Sequence, residues 1–82
     1  MSTDLDDAWN DLHDATPAGW YVGRPSYDEG RGVWEQYAFD PSERAVVGVR
    51  SREWTAVAPT ELEVMRELAR CLRLIREGRV PG

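Results

Sequence analysis

Apolar residues recur at helical spacing near the end of the sequence. In the segment TELEVMRELARCLRLIREG they return every three or four positions and fall on one half of a helical cylinder. Thr60 precedes Glu63 by three positions, as in a capping box, and Gly78 supplies a C-terminal stop. The pattern predicts a helix over residues 60–77 with one buried half. The apolar positions are Leu62, Met65, Leu68, Ala69, Leu72 and Ile75, with Val64 and Cys71 at the edge.

A shorter helical pattern lies at the start of the chain. Leu5, Ala8, Trp9 and Leu12 follow helical spacing, and the positions between them are mostly aspartates. This pattern predicts an amphipathic helix over residues 3–13 with an acidic solvent face.

Between the two helical segments, aromatic and β-branched residues alternate with turn signals. This pattern predicts strands over residues 20–27, 33–39 and 45–52, with an extension or a fourth short strand over 54–57. The short links favour antiparallel pairing of neighbouring strands. Pro25 lacks an N–H for the sheet, so the first strand is expected to be an edge strand or to bulge there.

Alternation along the strands divides their side chains between two faces. The more apolar face is predicted to be the one that the helices cover, and the second face is predicted to be open. The first holds Tyr21, Tyr27, Val33, Tyr37, Phe39, Val47 and Val49. The second holds Trp20, Val22, Arg24, Trp34, Gln36, Arg50, Arg52 and Trp54.

These elements predict one α+β domain over residues 1–82, in the order α-β-β-β-α, with a three-stranded antiparallel sheet and both helices packed on one face. The order of elements resembles that of the double-stranded-RNA-binding domain. The last helix of that family begins with basic residues, whereas here the corresponding stretch is Thr60-Glu61-Leu62-Glu63. The resemblance implies a topology and makes nucleic-acid binding an alternative function.

Charge and composition narrow the function classes. All ten basic residues are arginine, a bias typical of GC-rich bacterial or phage genomes. The net charge of -5 equals that of the first fourteen residues, which hold five aspartates and no arginine, so arginines elsewhere could still cluster. The lone cysteine excludes an internal disulfide, and no apolar run is long enough to span a membrane. A cytoplasmic protein is expected, with no membrane partner.

The second face carries the candidate site. Indole rings stack on planar groups, and guanidinium groups add cation–π contacts and bind anions. The predicted binding residues are Trp20, Arg24, Trp34, Gln36, Arg50, Arg52 and Trp54. Two structural readings stay open: the arginines lie over the tryptophans as neighbours on a solvated sheet, or a different register places the tryptophans in the core.

The residues identify no specific function. No catalytic, metal or cofactor motif is present, and a single histidine and a single cysteine argue against a zinc site. We therefore expect a non-enzymatic interaction or accessory module, without a cofactor, that binds a protein or peptide, including a second copy of itself as a homodimer. The alternatives are nucleic-acid binding through the same residues and a small enzyme using His13 or Cys71.

Overall fold

The structure is a computed structural model that describes residues 3–41, 52–79 and 81. Within these residues, two helices and four strands follow one another in the order α-β-β-β-β-α. This confirms the α+β class and the antiparallel sheet, which has four strands rather than the three predicted. The elements are α1 (Thr3–Ala15), β1 (Tyr21–Val22), β2 (Ser26–Asp28), β3 (Val33–Asp40), β4 (Arg52–Ala58) and α2 (Glu61–Arg76).

The first predicted strand is broken into β1 and β2, and β4 corresponds to the short strand expected over 54–57. Val22 pairs with Ala38, and Ser26 pairs with Glu35, so four steps along the first strand lie opposite three steps along β3. The extra residue is a bulge in the segment that contains Pro25. The expectation of an edge or a bulge at this proline is confirmed.

Strand β3 is the centre of the sheet. It pairs with β4 from Trp34 to Asp40, so β1 and β2 must share its other edge. Strand β4 covers the short 54–57 strand expected from the sequence. The predicted strand over 45–52 lies outside the described residues except at Arg52, and so do the positions assigned to Val47, Val49 and Arg50.

Both helices begin and end close to the expected residues. The Thr60 hydroxyl accepts a hydrogen bond from the Glu63 amide at 3.1 Å, and Gly78 adopts a φ of 80°, which favours glycine, just after α2. Helix α1 runs two residues beyond its predicted end. The Thr16 hydroxyl then donates to the Leu12 carbonyl at 2.7 Å and satisfies one of the last helical acceptors.

The core lies between the helices and one face of the sheet. Helix α2 packs on β4 and β3, and α1 packs along α2. The buried cluster contains Ala8, Leu12, Ala15, Ala38, Ala56, Val64, Met65, Leu68, Ala69 and Leu72.

The helices cover the face opposite to the one predicted. Trp20, Trp34 and Trp54 are partly buried against the core, whereas Tyr21 and Tyr37 are 54% and 43% exposed. The assignment of the helices to the tyrosine face was therefore wrong.

The sizes and charges of the side chains explain which face of the sheet the helices cover. Ala38 and Ala56 are small, so α2 can approach the sheet closely, and the tryptophan rings fill the space around them. Glu35 and Glu53 alternate with these residues and therefore point to the other face, since a buried, unpaired carboxylate is costly.

The bulge also moves one predicted aromatic residue. Tyr27 pairs with Trp34, and their ring centroids lie 5.6 Å apart, so Tyr27 belongs to the helix-covered side rather than to the face of Tyr21. It lies at the margin of that side, where it is 52% exposed.

Candidate functional site

The side of the sheet without helices carries an exposed aromatic cluster. The ring centroids of Tyr21 and Phe39 lie 5.2 Å apart, and those of Tyr37 and Phe39 lie 6.1 Å apart with their planes within 18°. Val57 adds apolar surface and is 45% exposed. We refer to this side as the open face, and its residues are Tyr21, Val33, Glu35, Tyr37, Phe39, Glu53, Thr55 and Val57.

Gly23 leaves room for one ring of this cluster, that of Tyr37. A Cβ atom at this position would lie only 2.7 Å from Cε1 and Cζ of Tyr37, so the ring lies directly over the glycine. The Gly23 amide also donates to the Tyr37 carbonyl at 2.9 Å. The ring of Tyr37 on β3 thereby covers the position where Gly23 has no side chain.

Carboxylates surround the aromatic cluster. Arg31 pairs with Glu35 at 2.8 Å and with Asp28 at 3.3 Å, which partly neutralises these two groups. Glu53 lies opposite Phe39 in the register and is exposed. Within the described ranges no cation pairs with Glu53, so the described side chains of the open face combine aromatic surface with more carboxylate than guanidinium charge.

The described tryptophans of the predicted site do not lie on the open face. Trp20, Trp34 and Trp54 pack against the core on the helix-covered side, the side that also carries Ala38 and Ala56. Ligand binding by the partly exposed edges of these tryptophans stays a prediction.

The two polar members of the predicted site whose side chains are described, Arg24 and Gln36, differ in exposure. Arg24 is exposed at the bulge, and Gln36 is buried, with its side chain donating to the Gly23 carbonyl at 2.8 Å. Arg50 lies outside the described residues, as does the side chain of Arg52. Gln36 is therefore a structural link between β3 and the bulge, and its Oε1 is buried with no hydrogen-bond partner among the described residues.

Sequence reasoning missed the open face because it ranked the two faces by apolar character. Tyrosine and phenylalanine at alternate positions were interpreted as core residues, although Glu35 and Glu53 lie on the same face. Those two carboxylates were the available signal, since a helix-covered face rarely contains unpaired charges.

A concave region lies between the start of α2, α1 and the bulge. It has a volume of about 460 Å³, and its lining includes Trp9, Met65, Arg24, Asp6 and Glu61. Its charged groups have both signs and are carried by surface positions, so the cleft has no evident selectivity for one class of ligand.

His13 and Cys71 do not form a catalytic pair in this arrangement. His13 is exposed on α1 and packs edge-on against Trp9, with ring centroids 5.0 Å apart. Cys71 is 2% exposed on α2, and burial raises the pKa of its thiol, which disfavours the nucleophilic thiolate.

Metal sites and membrane spans were also considered for the described part of the chain. It contains no group of three or more histidine, cysteine or acidic side chains placed to hold a metal ion. Its helices α1 and α2 are too short and too polar to cross a bilayer.

Comparison of the chain with protein-family models, curated proteins and solved structures found no match.

Proposed function

We propose that this protein is a small non-enzymatic interaction module whose open face binds a basic segment of a partner protein. The observation that supports the proposal is the cluster of Tyr21, Tyr37 and Phe39, with both tyrosines exposed, on a sheet face that no described element covers. Aromatic rings presented together on an exposed surface are typical of protein interfaces.

The chemistry of the open face favours arginine or lysine in the partner. A cation placed over an aromatic ring gains about 0.5–1 kcal/mol at an exposed site and more when water is excluded. Glu53, next to Phe39, supplies a carboxylate for a charge-assisted hydrogen bond to the same cation. Rings and carboxylate together therefore suit a cationic side chain better than a neutral one.

The same charges make a protein a better candidate than a nucleic acid for this face. Asp28, Glu35 and Glu53 border the cluster, and Arg31 is already engaged by two of these carboxylates. A phosphate backbone would meet net repulsion there, whereas nucleic-acid binding requires cations that replace counterions.

A peptide titration tests the proposal. The probe is a blocked synthetic peptide of alternating arginine and glycine, and the readout is the NMR signals of the tyrosine and phenylalanine rings. We expect the signals of Tyr21, Tyr37 and Phe39 to shift on binding. The apparent Kd should rise several-fold with added salt, because exposed charges are screened.

Two variants, each lacking one negative charge, serve as test and control. Glu53→Gln should weaken peptide binding about fivefold or more through loss of the charge-assisted bond. Asp4→Asn removes the same charge from the exposed face of α1 and should leave the affinity nearly unchanged. Equal effects of both variants, or a single-stranded oligonucleotide that shifts the same rings, would contradict the proposal.

A further inference from the structure

Arg31 connects the turn between β2 and β3 to the open face. Its Nη2 lies 2.8 Å from Glu35 Oε1, and its Nε lies 3.3 Å from Asp28 Oδ2. Asp28 pairs with Val33 in the register, and opposite residues of paired strands share a face, so Asp28 lies on the side of Val33 and Glu35. A cation of the chain itself is therefore bound to two carboxylates of the open face.

Glu35 is continuous with the aromatic cluster. It precedes Tyr37 by two positions on β3, so both side chains point to the same side, with their Cα atoms roughly 7 Å apart. Val57 lies opposite Glu35 on β4 and is 45% exposed. A cationic side chain held by Glu35 therefore lies within reach of the aromatic and apolar surface that the proposed function uses. Glu35 is near the start of β3, at the end of the sheet opposite to the pair of Asp40 and Arg52.

The turn does not depend on the guanidinium of Arg31. The Gly30 and Arg31 amides donate to Asp28 Oδ1 at 3.0 and 3.3 Å. The Gly32 amide donates to the Asp28 carbonyl at 2.8 Å, and Gly32 adopts a φ of 67°, which favours glycine. These bonds use only the backbone of Arg31. Its side chain, which is 55% exposed, can therefore leave the carboxylates without opening the turn.

An exposed ion pair of this kind opens readily. Water weakens the attraction, and holding two long side chains in one geometry costs conformational entropy, so such a pair is closed only about two to five times as often as it is open. Arg31 is thus a weakly held occupant of Glu35. A second cation that reaches the carboxylate can take its place.

We propose that Arg31 is an intramolecular competitor of the basic segment and sets the affinity of the open face for it. In the free protein Arg31 occupies Glu35, and in the complex an arginine or lysine of the partner replaces it. Because Glu35 is free for only a fraction of the time, the apparent affinity for a segment that uses it falls by that fraction. This inference rests on the proposed function, since a competitor has an effect only where a cation binds.

A peptide titration of two variants tests the competition. The probe is the blocked peptide of alternating arginine and glycine, and the readout is the ring signals of the open face. Arg31→Gln should bind the peptide about threefold more tightly than the wild type, because Glu35 is then always free. Arg73→Gln is the matched control. It removes the same charge from an exposed ion pair, the one with Asp11 on α1, and should change the affinity much less.

The two variants can contradict the proposal in two ways. Equal gains in Arg31→Gln and Arg73→Gln would show that only the net charge of the protein matters. Weaker binding by Arg31→Gln would show that Arg31 contacts the peptide instead of competing with it. Either result overturns the competition.

A third substitution separates competition from repulsion at a distance. In a Glu35→Gln background, Arg31→Gln should raise the affinity much less than in the wild type, because the carboxylate that Arg31 occupies is absent. Repulsion between Arg31 and the cations of the peptide would persist in that background. A full gain there overturns the proposal.

Displacement of Arg31 has a direct readout in the wild type. The NMR signal of the Arg31 Nε–H group should shift as the peptide is added, because the guanidinium leaves Asp28 and Glu35. The corresponding signal of Arg73 should stay in place. This measurement does not depend on the folding of any variant. An Arg31 signal that is unchanged while the ring signals shift to saturation overturns the proposal.

The outcomes distinguish this inference from the proposed function. If the wild type and Arg31→Gln bind the peptide equally, the proposed function stands and the competition is overturned. If neither binds, both are overturned. Binding by Arg31→Gln alone supports the competition, with Arg31 keeping the peptide off the wild-type face.

Discussion

Single residues determine how the open face is built. Gly23 makes room for the ring of Tyr37, and its carbonyl accepts a hydrogen bond from Gln36 on the opposite side of β3. One small residue at the bulge therefore couples the exposed aromatic cluster to the buried side of the sheet. Neither role follows from local sequence pattern, since both depend on the residue that the register places opposite the glycine.

The effect of Gly23→Ala on the free energy of unfolding should depend on whether the Tyr37 ring is present. Gly23→Ala should lower the free energy of unfolding by about 1 kcal/mol, because the new Cβ displaces the Tyr37 ring. In a Tyr37→Ala background, the same change should be neutral or stabilising by about 0.5 kcal/mol, since alanine restricts the unfolded chain more than glycine.

The measurement is a double-mutant cycle by urea denaturation. Additive effects of the two substitutions would show that the ring does not rest on the glycine.

At the level of elements, the helices are specified locally. Thr60, the apolar period of α2 and Gly78 agree with one another, and the observed helix ends within one residue of its predicted limits. The sheet is specified less locally. The first strand was predicted over residues 20–27 with an edge or a bulge at Pro25. One extra residue near Pro25 divides it and shifts the register of everything beyond the bulge.

The N-cap of α2 provides the element-level prediction. Thr60→Ala removes the acceptor for the Glu63 amide and should cost about 1 kcal/mol of stability, whereas Thr60→Ser keeps the hydroxyl and should cost much less. Thermal or urea unfolding followed by far-UV CD measures both. Equal stability of the alanine and serine variants would show that water replaces the cap without cost.

At the level of the whole molecule, α1 joins the fold through α2. Leu12 is fully buried, and Arg76 donates to the Asp14 carbonyl at 2.7 Å, while Arg73 forms an ion pair with Asp11. The acidic helix is therefore anchored by apolar packing and by arginines at the end of α2. Exposed ion pairs contribute little, so the packing of Leu12 should dominate.

This anchoring predicts one cooperative unit. Leu12→Ala should lower the free energy of unfolding by about 3 kcal/mol through loss of buried surface and the cavity left behind. Far-UV CD and tryptophan fluorescence should report coincident transitions, because Trp9 lies on α1 while Trp34 and Trp54 lie on the sheet. Asn10→Ala, at an exposed position of α1, serves as the control and should change stability very little.

Separate transitions for the two probes would contradict this prediction. They would indicate that α1 unfolds independently of the sheet and α2.

The sequence alone determined the α+β class, both helices, antiparallel strands and the irregularity at Pro25. These features rest on local signals: capping residues, apolar period, short turns and a proline without an N–H. Tertiary structure decided which face of the sheet the helices cover. Both faces are rich in aromatic residues, so the choice depended on contacts between distant elements. The small side chains of Ala38 and Ala56 let α2 pack closely on one face, and burial of the Glu35 and Glu53 carboxylates on the other face would be costly.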